Sequence, residues 1–534
     1  MGIYLTGFTR HIREHIKESF SFTPTPALSD KEIKFYAENG ILAQNIPIFE
    51  ETQAWLKRYY IYVADLNKFM YYNIHTGLWD TDPDTAKLRN LLLDYFTVLS
   101  EESSKAKDGI MLHYARTMFK LRNLNELITK IHRATFFTKD NYNKIVEATE
   151  DYVYFETTTG KQALLDLSKK EWNLRLVSFK DTQDLYLTTR QTQKLAINPD
   201  DEPKLFLSLI EEYMCHDPEL ITYFHKVLAY MMAPYNYNQV VFHFYGAKGK
   251  NGKSTIMKVL QDILGPRTVR ISNQFLADNP SLNFKVDDAI ASISGKSLII
   301  FNEIKERMYL NTETFKKISD GGRDDLGNKT YEVVRPAFKS SYQVCIQGIP
   351  VVLANGLLLF PEWAEIEPIT RRLLIVPFNF LIEKEDPTIV SRLAAEYPQI
   401  QLWLYLNYFK YRGINIKDVK LPKAVKAIKE QYAHEVDSLG NFFKECFDID
   451  TDEKTTERLL RSDLYRTYQT YCKANGRQAM RNTGTSGFQN LIRPHIISAL
   501  GEDHLVNLSG LYYIKGLKHS KFYLSEIMPS GTGK

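Results

Sequence analysis

Gly246-Ala-Lys-Gly-Lys-Asn-Gly-Lys-Ser-Thr255 is the stretch of this 534-residue chain whose residue types could most directly do chemistry. Glycines let backbone N–H groups converge on phosphate oxygens with no side chain in the way. A helix starting behind them would add unsatisfied donors and a positive dipole end. In such a loop Lys253 would bridge the β- and γ-phosphates of a nucleoside triphosphate, and the Ser254 hydroxyl would ligate Mg²⁺. Gly246, Gly249, Lys250, Asn251, Gly252 and Thr255 complete the cradle. Between Gly246 and Gly252 lies one residue more than the usual motif has, and Ala247 stands where its first glycine is expected. Gly249 is therefore expected to supply the flexibility of the longer loop.

Cleaving a triphosphate also needs an acid beside it. Lys296-Ser-Leu-Ile-Ile-Phe-Asn-Glu303 offers one, an apolar run ending in Asn302-Glu303. Glu303 would polarise the attacking water, and Asn302 sits where an aspartate commonly supports Mg²⁺. Since Asn is neutral, the metal would lean more on Ser254, phosphates and water. A second apolar run, Ile349-Pro-Val-Val-Leu-Ala-Asn355, ends in an amide that could position the water or touch the γ-phosphate. Thr370-Arg371-Arg372 leads straight into a third, Leu-Leu-Ile-Val-Pro-Phe378. The bland reading is a surface cation before a core strand. The chemical one has Arg371 or Arg372 reaching the phosphates of a neighbouring subunit and stabilising transition-state charge.

These side chains need strands and helices to hold them. Gln239-Val-Val-Phe-His-Phe-Tyr245 predicts a strand running into the loop. Ile256, Val259, Leu260, Ile263 and Leu264 predict a helix running out of it, stopped by Gly265-Pro266. Residues 205–232 predict a helical lead-in. Further upstream, 58–63 and 69–74 read as aromatic strands joined by a polar turn, with Gly77-Leu-Trp-Asp-Thr-Asp82 ending the hairpin. Residues 86–150 carry helical spacing, as in Leu88, Leu91, Leu92, Tyr95 and Phe96. The polar stretches 100–109, 198–203 and 448–456 read as loops or linkers.

Near the C-terminal end, residues 462–473 predict one helix, and Phe488, Leu491, Ile492, Ile496 and Leu500 a second, bearing Arg493. Leu505–Leu508 and Leu511–Leu517, split by Ser509-Gly510, predict a hairpin carrying Lys515. Residues 454–523 hold 11 Lys/Arg against 4 Asp/Glu, in a chain whose net charge is only +4. Two helices and a β-wing in a basic module read as a winged-helix domain. Its second helix would enter the major groove and its wing would touch the backbone. Protein docking is the other use of such a module.

The composition, 44% hydrophobic and 25% charged, fits a folded globular protein rather than a disordered or collagen-like one. No apolar run approaches the ~20 residues a bilayer demands, and the start lacks a secretory pattern. Cys215, Cys345, Cys446 and Cys472 are too far apart for a zinc knuckle or a disulfide framework. The expectation is a cytoplasmic protein without membrane attachment or zinc. Asp80-Thr-Asp82 is an Asp-x-Asp, yet its setting is a turn rather than a buried strand, which disfavours primer synthesis. A small-molecule kinase is disfavoured by the added acid strand, polar strand end and paired arginines.

Taken in order, Lys250–Thr255, Asn302-Glu303, Asn355 and Arg371-Arg372 resemble the motifs of superfamily 3 helicases. Within these, the likeness is to the phage, plasmid and poxvirus primase–helicase branch, and more narrowly to replication initiator helicases of staphylococcal pathogenicity islands. The resemblance implies an α/β fold: an AAA+ P-loop ATPase core with a parallel sheet, an α+β N-terminal domain and a C-terminal winged-helix domain. The corresponding divisions are 1–200 (a possible collar), 201–385 (the motor with its lead-in), 386–450 (helical), 451–525 (basic) and 526–534 (tail). It implies a homo-oligomeric ring, usually a hexamer, with ATP and Mg²⁺ between subunits and translocation along single-stranded DNA, while the C-terminal domain holds duplex origin DNA. The interval Ser319–Thr330 would carry a channel hairpin, with Gly327-Asn-Lys329 as a tight turn presenting a cation, Lys329 as the first phosphate contact and Arg323 the second. An ATP-gated DNA-binding or loading protein without unwinding activity is the alternative.

Overall fold

The computed structural model describes residues 6–20, 55–119, 150–278, 285–301, 308–335, 341–361, 366–474, 487–501, 505–508 and 511–527, apart from 57, 64–67, 74–75, 83, 325, 437 and 453–454, together with 22, 24, 29, 31, 124–125, 127–128, 304, 479 and 482. Helix α1 (Thr6–Ser19) lays Ile12 and Ile16 in one apolar cluster with Trp55, Leu56 and Tyr60. Tyr60 opens the antiparallel sheet of β1 (Tyr60–Val63), β2 (Lys68–Asn73) and β3 (Leu78–Thr81). The expected hairpin forms, but the segment from Gly77 adds a third strand rather than ending it. Asp80 lies on that strand. Asp82 follows it at 1% exposure, accepting from the Tyr60 hydroxyl and from the Lys87 and Leu88 backbone N–H groups. It therefore satisfies the first-turn donors of the next helix.

That helix, α2 (Ala86–Lys105), runs through most of the stretch expected to be a loop at 100–109, before α3 (Gly109–Met118). Two of the polar residues there, Glu102 and Ser103, are buried rather than facing water. Glu102 is buried and pairs with Arg13 at 3.0 Å, Lys17 at 3.6 Å and Lys105 at 2.7 Å. Ser103 donates to the Leu99 carbonyl one turn back. Apolar periodicity cannot reveal a helix face that is glued by charge.

A second antiparallel sheet, β4 (Tyr152–Glu156), β5 (Gln162–Asp166) and β6 (Arg175–Leu176), turns Val153, Phe155 and Leu165 into the same core as α4 (Lys204–Tyr213) and α5 (Pro218–Tyr230). Residues on either side of position 200 thus share one interior. The chain then builds its central sheet through β7 (Val241–Tyr245), α6 (Lys253–Leu264), β8 (Thr268–Ile271), α7 (Val286–Ile293), β9 (Leu298–Phe301) and α8 (Thr312–Ser319). A small antiparallel hairpin, β10 (Glu332–Val334) with β11 (Tyr342–Val344), precedes β12 (Ile349–Ala354), α9 (Ile366–Arg372) and β13 (Leu373–Pro377).

The chain is a mixed α/β structure around a five-stranded parallel sheet ordered β13-β7-β12-β9-β8. Four of these strands are buried almost throughout. Parallel strands are covered on both faces, which is why their sequences read as unbroken apolar runs. Phe242 and Phe244 pack toward α4, α5 and α6, whereas Val241 packs on the opposite face with Ile271, Phe315 and Ile369.

Helices α10 (Ile389–Ala395), α11 (Tyr397–Tyr411) and α12 (Lys423–Val436) follow; α11 joins the first core face, and Ile428 and Tyr432 of α12 join the second. A separate core gathers α13 (Ser438–Cys446), β14 (Phe447–Ile449), β15 (Arg458–Leu460), α14 (Arg461–Ala474) and α15 (Phe488–Leu500), together with β17 (Leu511–Lys515) and β18 (Leu517–His519), while the mostly exposed β16 (Leu505–Leu508) pairs with β17. Phe442 sits at its centre, with the Tyr468, Tyr471 and Phe488 rings at 5.3, 5.4 and 5.9 Å. The expected hairpin is present, with Leu508 opposite Leu511. No described helix is long and apolar enough to cross a membrane.

Asp82→Ala removes both an N-terminal cap and the partner of a buried tyrosine. It should cost about 2 kcal/mol, read as a lower midpoint in chemical denaturation followed by tryptophan fluorescence. An unshifted midpoint would show that the cap adds nothing.

Candidate functional site

The chain leaves β7 for the far edge of the sheet at β8, but leaves β12 in the other direction, for β13. This makes the carboxyl ends of β7 and β12 a topological switch point, the place where open parallel sheets hold ligands. The register sets Tyr245 beside Ala354, so Gly246 and Asn355 emerge together. Lys253, the first residue of α6, is 6% exposed, and its Nζ donates to Asn355 Oδ1 at 2.9 Å and to the Gly246 carbonyl at 3.3 Å. Both of these acceptors are neutral. The tertiary fold thus brings the loop lysine and the strand-end amide into contact across 102 residues of sequence.

The loop is shaped by close approaches. Its left-handed positions are Lys250 (φ 58°) and Gly252 (φ 85°), whereas Gly249, where flexibility was expected, has no left-handed backbone. The Lys250 carbonyl accepts from the Ile382 N–H at 2.8 Å, and the Lys250 Nζ lies 3.1 Å from Glu385. Asn251, 4% exposed, spans the loop, donating to the Lys248 and Phe378 carbonyls. It is a strut. A Cβ on Gly246 would meet Asn251 Nδ2 at 2.0 Å and Lys253 Nζ at 2.9 Å; one on Gly252 would meet the Tyr213 ring at 2.4 Å. Tyr213, from α4, is buried under the loop. Burial raises its phenol pKa, and a hydrogen bond with Thr255 offsets part of that rise.

Gly252 caps α6 without any side-chain acceptor, leaving first-turn donors for a ligand at the positive end of the helix dipole. Ser254 is exposed at the same mouth. A cavity of about 750 Å³ opens there, lined by loop residues 250–255, by Glu212 and Tyr213, and by Lys384, Glu385, Asp386 and Arg392. Uncapped donors, a buried ammonium and glycines with no room for a Cβ fit a polyphosphate carrying a divalent ion.

Behind the loop, His243 of β7 is fully buried, and neither ring nitrogen has a hydrogen-bond partner of good geometry. Burial, then the nearby Lys253 charge, lowers its pKa to about 3, so the ring is neutral.

Asn302 and Glu303 lie outside the described residues; Phe301, just before them, pairs with Val352. Arg371 and Arg372 stand at the start of β13, where Leu373 pairs with Val241 at the end of β7 remote from Gly246. With about 3.3 Å per strand residue, they lie roughly 15 Å from the loop of their own chain. Arg371 is exposed, and no described residue forms a hydrogen bond or ion pair with it. Arg372 is mostly buried and pairs with Asp320 at 3.2 Å.

The tip of the 323–329 hairpin is not Lys329. Gly327 donates to the Asp324 carbonyl, Leu326 is 87% exposed, and Lys329 bridges to Arg323 at the base. Both cations face Glu150, Arg323 at 2.9 Å and Lys329 at 3.3 Å, and Arg323 also stacks 4.1 Å over the Tyr235 ring. Burial dominates Glu150 and raises its pKa, with Lys329 and Arg323 pulling the other way. In the C-terminal module Arg493 is exposed on α15, and Lys515 lies on β17 opposite Arg458. Among the described residues, no group of three or more His, Cys, Asp or Glu could hold a metal ion. Tyr213, His243, Glu150 and Asp320 went unnoticed in the sequence. Only His243 had a local signal, an imidazole inside an apolar strand.

Residues 434–528 match the poxvirus D5 protein-like family. Among solved structures, the apo structure of the NrS-1 C terminal region shares 12% identity over 71% of this chain and 100% of that one, with a TM-score of 0.37. An A-form apo structure of the same region gives 12% identity, 69% and 98% coverage, and again 0.37. No curated protein matches.

Gly252→Ala should distort the loop and lower stability, because the loop must open to clear Tyr213; an unshifted midpoint in chemical denaturation would disprove this. His243 stays neutral in the folded state down to about pH 3, whereas the unfolded ring titrates near pH ~6.5. Its contribution is therefore whole above that pH and is lost as pH falls toward 3, at a slope of about 1.4 kcal/mol per unit. Denaturation of His243→Phe between pH 6.5 and 4 should show a shallower loss of stability than wild type.

Proposed function

We propose that this chain is an ATP-dependent DNA helicase and replication initiator: a ring, with the hexamer as the expected size, that hydrolyses ATP between subunits and translocates on single-stranded DNA. The observation that carries the reading is the placement of phosphate-handling groups at opposite ends of one sheet. Lys253 and Asn355 meet at the switch point, while Arg371 and Arg372 sit roughly a strand length away. Groups so separated cannot act on one triphosphate within one protomer, but they can when the far end of one subunit meets the loop of the next. In this reading the core is an AAA+ motor, Lys253 binds the phosphates, and Ser254 helps hold Mg²⁺, which would neutralise phosphate charge. Asn355 positions the water that Glu303 polarises.

The order helix, two short strands, helix, helix, hairpin across α13 to β17 supports reading the basic C-terminal module as a winged helix that holds duplex origin DNA through Arg493 and Lys515. The match to the D5 protein-like family spans this module. The narrower likeness to staphylococcal island initiators belongs to the same proposal, as does a collar role for the N-terminal region.

A second reading, an ATP-gated loader without unwinding activity, draws on the pairing of Arg323 and Lys329 with Glu150. That pairing occupies the hairpin cations within the chain.

Lys253→Ala should abolish ATP hydrolysis, and Glu303→Gln should bind ATP yet stop turnover; wild-type turnover in both would move the active site elsewhere. Forked-DNA unwinding, with oligomer size read by mass photometry, separates the two readings: hydrolysis without strand displacement favours the loader. Removing residues 454–534 should weaken duplex binding and flatten its salt dependence, whereas unchanged binding would make the module a protein dock.

A further inference from the structure

The two adjacent arginines before β13 stand in different surroundings. Arg371 is exposed, with no hydrogen bond or ion pair to any described residue. Arg372 turns inward: its Nη2 lies 3.2 Å from Asp320 Oδ1, and its Nη1 donates to the Pro368 carbonyl at 3.3 Å. Its side chain is 12% exposed.

Asp320 occupies a particular place. It caps the carboxyl end of α8, whose Phe315 and Ile318 share a core with Ile369 of α9. Immediately after it come Gly321 (φ 70°) and Gly322 (φ 66°), and neither can carry a side chain. A Cβ on Gly321 would meet the Asn236 carbonyl oxygen at 2.4 Å, and one on Gly322 would meet Cys345 Sγ at 2.5 Å. The chain then enters the Arg323–Lys329 hairpin. The end of α9 is thus bolted through one ion pair to the root of that hairpin, and the glycine pair leaves little slack between them.

Burial, then the neighbouring Arg371 and Arg372, lowers the pKa of Lys417, with Asp418 pulling the other way. Asp320 is taken up by Arg372 and Asp418 lies by Lys417, which leaves Arg371 as the exposed cation of the three.

We propose that Arg371 is the residue that reaches the phosphates of the neighbouring subunit. Arg372 is a positioning residue whose ion pair with Asp320 couples that contact to the hairpin bearing Arg323 and Lys329. This assignment rests on the ATPase reading above. It implies that nucleotide state at a subunit seam moves the hairpin through Asp320, and that a polyanion on the hairpin is felt at the seam by the same route.

The test measures ATP turnover of the full-length chain, with and without single-stranded DNA, for Arg371→Ala, Arg372→Ala, Asp320→Asn and the charge swap Arg372→Asp with Asp320→Arg. Arg371→Ala should lose roughly 10³-fold of the basal rate, as removal of an arginine acting in trans does. Mixing it with Lys253→Ala should restore part of that rate, since each variant supplies what the other lacks. Arg372→Ala and Asp320→Asn should lower the basal rate by less than about ten-fold while removing most of the stimulation by DNA, and the swap should recover stimulation. A merely structural ion pair would lower both rates together and leave their ratio intact, which would overturn the coupling. Near-wild-type turnover by Arg371→Ala, with Lys253→Ala inactive, would overturn the arginine assignment alone. Wild-type turnover by Lys253→Ala would instead remove the underlying ATPase reading, and this inference with it.

Discussion

The contact of the buried Lys253 ammonium with the Asn355 amide and the Gly246 carbonyl is the interaction that ties the loop to the central sheet. Leaving such a charge without partners would cost several kcal/mol, and Lys253 avoids that by donating to Asn355 Oδ1 and the Gly246 carbonyl. Both belong to strand ends that meet only because β7 and β12 are neighbours in register. The loop, the helix start and the amide are therefore one constellation, and its geometry is set by the order of the sheet. Asn251, Tyr213 and the Ile382 backbone brace it from three sides, which is how a lengthened loop keeps a defined shape.

The same sheet keeps Lys253 and the arginine pair apart. Parallel strands put every carboxyl end on one side and every amino end on the other, so arginines that precede β13 cannot reach the loop that follows β7. In the proposed function this separation is what makes catalysis a property of an assembly rather than of one protomer. Two carboxylates then manage the remaining cations: Glu150 gathers Arg323 and Lys329, and Asp320 takes Arg372. Such pairings are among the least transferable contacts in energy, and they are also the ones a polyanionic partner competes for most directly.

Much of this was legible in the sequence wherever one local pattern sufficed. The strand, glycine loop and helix from 239 to 264, the apolar runs ending near 301, 354 and 377, and the two helices with a hairpin after 460 all stand where periodicity put them. Errors arose where polar residues do interior work. The run at 100–109 is mostly helix because Glu102 is neutralised by three cations, two of them on α1. The cation of the 323–329 hairpin is at its base because the turn closes at Gly327 rather than at Lys329.

By itself the sequence determined which residue types could meet a phosphate and which short segments would carry them, because glycine spacing and apolar periodicity are properties of neighbours along the chain. The tertiary structure alone decided that Asn355 touches Lys253, that Tyr213 supports Gly252, and that Arg371 is exposed while Arg372 is spent on Asp320. Those outcomes depend on strand order and on contacts between residues tens to more than a hundred positions apart, and no local pattern encodes them.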